Sequence, residues 1–212
     1  MEVQLPPAAD QITKATSRRR KTPLVNPFKI IIDTAEQQPF AFQGIHADAD
    51  RDNCEIVIQP GINLLRQCLG RHPHSLGDYS IDGFVGRCHV ERKSMDDAHG
   101  TFLGWTGGSS DFGRRQRFEQ ELANLSNVEC PAVVVECSLG ALLDNAPEYD
   151  QGHKTARLNR KILHRSILAW QQDYQVHWIF CDTRRMAELA TFRWLERFWE
   201  KHRTKKARGK KQ

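Results

Sequence analysis

The sequence predicts an α/β domain with an at least partly parallel sheet. Short β-branched runs alternate with stretches of helical length that carry one apolar face, and the first run is nearly all apolar, as in a strand buried on both sides. That run, residues 28–32, ends abruptly at Asp33, Thr34, Ala35 and Glu36. Acids at the mouth of a buried strand are placed to serve a site, although Asp33 or Thr34 also suits a simple turn. Residues 79–81 and 87–93 are β-compatible, and the turn residues of 83–86 between them suit a hairpin. Residues 114–126 place Phe118, Leu122 and Leu125 at i, i+4 and i+7, one helical stripe, with Ser110 or Asp111 as its cap. A strand follows at 131–135, then a short helix at 138–144. A longer helix at 158–170 has an apolar face of Leu158, Ile162, Leu163, Ile167, Leu168 and Trp170. Residues 176–180 form a last strand and 184–199 a last helix, bearing Met186, Leu189, Ala190, Leu195 and Phe198.

A chain of 212 residues suits one domain with a substantial core. Its net charge of +5 is unevenly spread. Residues 1–26 hold five Lys/Arg and two acids, residues 201–212 hold seven Lys/Arg and no acid, and the body between holds 19 basic against 24 acidic residues. The reading is a flexible basic arm (1–26), a folded acidic body (27–200) and a basic tail (201–212) that includes Lys205, Lys206 and Arg208. Such arms bind phosphates without sequence preference, and here they offset a body that repels polyanions; the plainer reading is a solubilising end or an import signal. No apolar run is long enough to span a bilayer, and the N-terminus lacks a signal-peptide core. The expectation is therefore an intracellular protein, in the cytoplasm or nucleoid, or in the nucleus of a eukaryotic host. Six scattered cysteines without a CxxC pair suit buried thiols in a reducing compartment. Cys68, His72 and His74 would suit zinc only with a fourth ligand, which the spacing does not supply.

Residues 75–97, SLGDYSIDGFVGRCHVERKSMDD, carry the chemistry. Magnesium prefers oxygen ligands, commonly one or two carboxylates completed by phosphate and water. A neighbouring ammonium offsets charge that grows on a phosphate in the transition state. Asp78 and Glu91 are the candidate ligands and Lys93 the candidate cation. Side chains alternate across a strand, so Glu91 and Lys93 project together while Arg92 shares the other face with Cys88 and Val90. Asp78 stands at the open end of its strand, where antiparallel pairing brings it beside Glu91.

Together, Asp33-Thr34-Ala35-Glu36, Gly77-Asp78 and Glu91-Arg92-Lys93-Ser94-Met95-Asp96-Asp97 resemble the DxRE, GD and ERKxxxD elements of the XPF-type (ERCC4-domain) structure-specific DNA endonucleases, whose nuclease module has a restriction-endonuclease-like core. The likeness covers about residues 28–199. It implies a mixed central sheet flanked by helices, and a catalytic set of Asp33, Glu36, Asp78, Glu91, Arg92, Lys93 and Asp97. It also implies a Mg2+ ion, replaceable by Mn2+, on Asp78, Glu91 and the backbone carbonyl of Arg92, with no small-molecule cofactor. Lys93 would orient the attacking water or stabilise the phosphate. Ala35 departs from the pattern, standing where the family usually has Arg. The family usually continues into a tandem helix-hairpin-helix module, which this sequence does not reach.

The expected function is metal-dependent hydrolysis of phosphodiester bonds in branched, flap or duplex DNA, in repair, recombination or phage DNA processing. The expected partners are DNA and a second copy through the C-terminal helices, where Trp194 and Trp199 would pair or join the core; no membrane is expected. Arg114, Arg115 and Arg117 crowd the first turns of a helix, where cations oppose the dipole, and are expected to face phosphate. The alternative is a catalytically silent DNA-binding or scaffold subunit; a sequence-specific restriction or nicking enzyme on the same core is a third.

Overall fold

The computed structural model describes residues 24–45, 54–62, 76–106, 109–110, 112–147 and 153–208, with side chains placed at 28–45, 76–104, 113–147 and 156–202. The zinc candidates Cys68, His72 and His74, Asp111 and the side chains of Lys205, Lys206 and Arg208 lie outside those residues.

Eight strands and five helices are described. In chain order they are β1 (Leu24–Asp33), β2 (Cys54–Ile62), β3 (Tyr79–Ile81), β4 (Cys88–Lys93), α1 (Met95–Leu103), β5 (Trp105–Thr106), β6 (Ser109–Ser110), α2 (Phe112–Leu125), β7 (Cys130–Val135), α3 (Leu139–Asp144), α4 (His153–Tyr174), β8 (His177–Phe180) and α5 (Arg184–Arg208). Six strands form one sheet in the order β2-β1-β3-β4-β7-β8, while β5 and β6 make a small separate ladder. In the six-stranded sheet β3 pairs antiparallel with both neighbours and the other pairings are parallel. This is a mixed sheet, as the sequence predicts.

One consequence of that topology positions the site. Because β1 and β4 run the same way with β3 reversed between them, the ends of β1 and β4 and the start of β3 share one edge of the sheet. The carboxyl edge of such sheets is where loops converge and ligands bind.

Alternation along β7 divides the core into two layers. Ala132 and Val134 pack with Ile30, Ile32, Tyr79 and Val90 against Ala187, Phe192, Leu195 and Phe198 of α5. Val133 and Val135 pack against Phe102 of α1, Phe118 and Leu122 of α2 and Leu163, Ile167 and Trp170 of α4. Trp194 and Trp199 pack, partly buried, against the first of these layers.

Several expectations shift. Leu158 and Leu168 are 55% and 47% exposed, and Met186 is exposed as well, so the apolar faces read for α4 and α5 were too wide. α4 begins before residue 158, α5 continues through Arg208 into the segment read as a tail, and β1 begins at Leu24, inside the segment read as an arm. Ser110 lies in β6. β2 and α1 were not foreseen. β2 contains Pro60 and runs along the sheet margin, where a strand tolerates a missing N–H. α1 has clear signals in retrospect: Ser94 caps it by accepting from the Asp97 amide, the Ser94 hydroxyl donates to Asp97, and Gly104 ends it in the left-handed conformation.

Candidate active site

Gly77 creates the first element of the site. Its φ is +94°, and a Cβ there would lie 3.1 Å from the Val90 carbonyl oxygen. Only glycine allows this approach without strain. It lets the Asp78 amide donate to Val90 O at 2.8 Å, and the Asp78 carboxylate then accepts from the Arg92 amide at 2.7 Å. The Asp33 amide donates to Asp78 O at 2.8 Å, which ties the end of β1 to the same point. The GD pair is thus a device for pinning a carboxylate against β4.

A cavity of about 360 Å³ opens at this edge, lined by Ala35, Glu36, Gln37, Asp78, Glu91, Arg92, Lys93, Asp97, Thr101 and Arg114. Asp78 and Glu91 therefore share one pocket, as alternation and antiparallel pairing require. Lys93 Nζ lies 2.6 Å from Glu91 Oε1 and 5.1 Å from the centre of the Phe118 ring. Glu121 of α2, which the sequence reading missed, approaches the same ammonium at 3.8 Å. Nothing in its local pattern marks it: it sits one position before Leu122 on a helix with several exposed charges.

The electrostatics of this group are strained. Burial, then the neighbouring Glu91, push the Asp78 carboxyl well above its usual range. Burial and Glu91 likewise raise Glu121 to about 7, against the pull of Lys93 and Arg117. Burial alone would depress the Lys93 ammonium, yet Glu91, Glu121 and Asp78 together hold it above its ordinary value. Glu91 Oε2 is buried and has no hydrogen-bond partner among the described residues. An orphaned buried carboxylate oxygen is costly, and beside a second crowded carboxylate it has the chemistry of a hard-cation ligand. Among the described residues, no group of three or more His, Cys, Asp or Glu side chains converges as a metal cage. Two carboxylates are nonetheless what magnesium commonly takes from protein side chains, with phosphate and water completing its shell. The residues present fit such an ion.

The remaining expected site residues divide. Asp97 lines the cavity from the first turn of α1 with its side chain 54% exposed, and Arg114 faces it at 3.9 Å across the rim. Asp33 does not line the cavity. Its carboxylate accepts from the Ala35 amide at 2.7 Å, the local turn that ends β1. Glu36 lines the cavity, but its carboxylate is engaged on the far face of β4 by Arg92, through Nε at 2.8 Å and Nη2 at 3.0 Å. Arg92 also donates to Glu136 at 2.8 Å, and Arg184 reaches Glu136 at 2.5 Å and Gln38 O at 2.6 Å. Burial works against both partners, yet mutual pairing holds Glu36 below and Arg92 above their ordinary values. The Arg92 side chain is thus a strut for the loop after β1, not a group aimed at the Asp78–Glu91 pair. Arg115 is also diverted: it donates to Phe102 O, pairs with Glu119 and stacks 4.8 Å from Trp170. Arg117 is exposed on the same helix.

No family model matches the sequence, and no curated protein does. Among solved structures the chain is similar to XPF from Aeropyrum pernix, at 16% identity and a TM-score of 0.49, covering 85% of this chain and 69% of that one. Taken by itself, the site defines an α/β protein with a carboxylate pair and a paired lysine in one pocket at the carboxyl edge of its sheet. Function is read from that pocket.

Proposed function

We propose that this chain is a divalent-metal-dependent endonuclease that hydrolyses phosphodiester bonds in DNA. The observation that carries the reading is the charge imbalance at the pocket: Asp78, Glu91 and Glu121 crowd around one ammonium, Lys93, and Glu91 Oε2 has no hydrogen-bond partner among the described residues. A divalent cation would neutralise that excess. DNA as the substrate follows from the motif resemblance of residues 33–36, 77–78 and 91–97.

Asp78, Glu91 and the backbone carbonyl of Arg92 would hold the ion, Mg2+ or Mn2+. When bound there it supplies a Lewis acid, which makes coordinated water a better nucleophile and offsets phosphoryl charge. Lys93 donates to the scissile phosphate or orients the attacking water, with its position fixed by Phe118 and Glu121. Arg114 at the rim is placed to meet a neighbouring phosphate, and Asp97 holds Arg114 in reach. Asp33 and the Arg92 side chain act through the loop they brace and touch no substrate.

The test is cleavage of labelled flaps, forks, junctions and plain duplexes by the full chain, with magnesium or manganese and with chelator. The expected result is incision that requires the cation. Absence of incision on every substrate with either ion would overturn the reading and favour a silent DNA-binding subunit, while ends mapping to one sequence would favour a restriction-type enzyme.

A further inference from the structure

The outer face of α4 carries a row of cations that the pocket does not use. Arg157, Arg160, Lys161, His164 and Arg165 are all exposed, and their spacing of i, i+3, i+4, i+7 and i+8 places them on one side of the helix. The opposite side, with Asn159, Leu163, Ser166, Ile167 and Trp170, is buried. Residues 153–165 contain five Lys/Arg and no acid. Arg160 is paired, with Asp144 at 2.6 Å. Arg157, Lys161 and Arg165 have no acidic partner among the described residues.

Two features separate this row from an ordinary solvated face. Cations in the first half of a helix oppose the positive end of its dipole, and the first turn of α4 holds no acid to compensate. A row that costs the helix stability points to an anionic partner. Its place in the fold is the second feature. β4 and β7 are parallel and end at the same sheet edge. The chain leaves β7 there, and because β7 and β8 are parallel, α3 and α4 carry it back from that edge; the early turns of α4 hydrogen-bond to the end of α3 and the residues after it, Arg160 to Leu143 O and Asn159 to Pro147 O. α4 packs on α1 and α2, the helices that bring Asp97 and Arg114 to the pocket. The cationic half of α4 therefore starts at the edge that bears the pocket.

We infer that this face of α4 is a second nucleic-acid contact, which grips the phosphate backbone of a DNA segment beyond the one in the pocket. From Arg157 to Arg165 the row extends about 12 Å at 1.5 Å per residue, about the rise of three to four base pairs at 3.4 Å each. A second copy of the chain is a poor occupant, because a two-fold contact on this face would oppose like charges. The inference rests on the endonuclease reading and adds where the rest of the substrate lies.

The test compares the full chain carrying Asp78→Asn with the same chain carrying also Arg157→Gln, Lys161→Gln and Arg165→Gln. Anisotropy of a labelled forked duplex is followed across a salt titration. The expected result is a log–log salt slope shallower by about two to three, at about 0.9 for each phosphate that is no longer neutralised, and binding weakened at least tenfold at low salt. The added substitutions should leave the melting temperature equal or higher, since they relieve the helix dipole. An unchanged slope with intact binding by the parent would overturn the inference and leave the pocket reading standing. So would a change confined to oligomeric state in sedimentation. Failure of the parent to bind DNA at all, together with no incision by the wild type, would remove both.

Discussion

Arg92 and Lys93 are neighbours on one strand, yet the two faces of the sheet treat them in opposite ways. On the α5 side, two acids, Glu36 and Glu136, meet two guanidiniums, Arg92 and Arg184, in hydrogen-bonded pairs. On the α2 side, three acids, Asp78, Glu91 and Glu121, crowd one ammonium, with Arg117 acting only on Glu121, and a buried carboxylate oxygen has no donor among the described residues. The first cluster is balanced and closes on itself, as a structural network must when buried. The second is short of positive charge and opens to a cavity. Buried charge alone does not mark a functional site; an uncompensated remainder facing open space does.

The sharpest way to break this contrast is to remove the acids of the unbalanced side. Asp78→Asn and Glu91→Gln are each expected to lower incision by about 10³-fold, measured in single-turnover cleavage with magnesium. Their melting temperatures should be equal to or above wild type, because each relieves crowding. A loss of fold instead would make the acids structural. On the balanced side the expectation reverses. Arg92→Met strands Glu36 and leaves Glu136 to Arg184 alone; it should cost about 3–5 kcal/mol, read from chemical denaturation, while incision by the fraction still folded persists. If Arg92→Met were stable but inactive, Arg92 would belong to the chemistry after all.

The smallest effect sharpens the contrast through pH. Unfolded Glu121 ionises near the ordinary 4.5, whereas the folded residue keeps its proton to about 7. Through that window the unfolded state binds fewer protons, so stability falls as pH rises. Asp78, also raised, acts in the same direction. Glu121→Gln should flatten the decline between pH 5 and about 8 in denaturation midpoints. Saturating magnesium should restore stability more at the upper end of that range than at the lower. Stability that rises with pH over this window would show that the crowding is absent.

Much of the site was legible because strand alternation is a local rule. Glu91 and Lys93 had to share a face and Arg92 had to leave it, whatever surrounded them. The same rule could not reveal where Arg92 went, and its pairing with Glu36 and Glu136 joins residues from three separate segments. Asp33 reads from sequence as either a ligand or a turn residue, and its acceptance from the Ala35 amide joins residues only two apart but needs the backbone to turn there. Leu158 and Leu168 lie near the apolar sector in helical projection, but they fall outside the arc that the neighbouring elements cover. Glu121 was invisible because its meaning depends on packing: a glutamate on an amphipathic helix is ordinary until that helix is laid against β4.

The sequence by itself determined the α/β alternation and the sidedness of the ERK tripeptide, since these follow from periodicity within a few residues. Only the tertiary structure decided which charges are compensated. Coulomb energy and desolvation depend on distances between segments far apart in the chain, and the fold sets those distances.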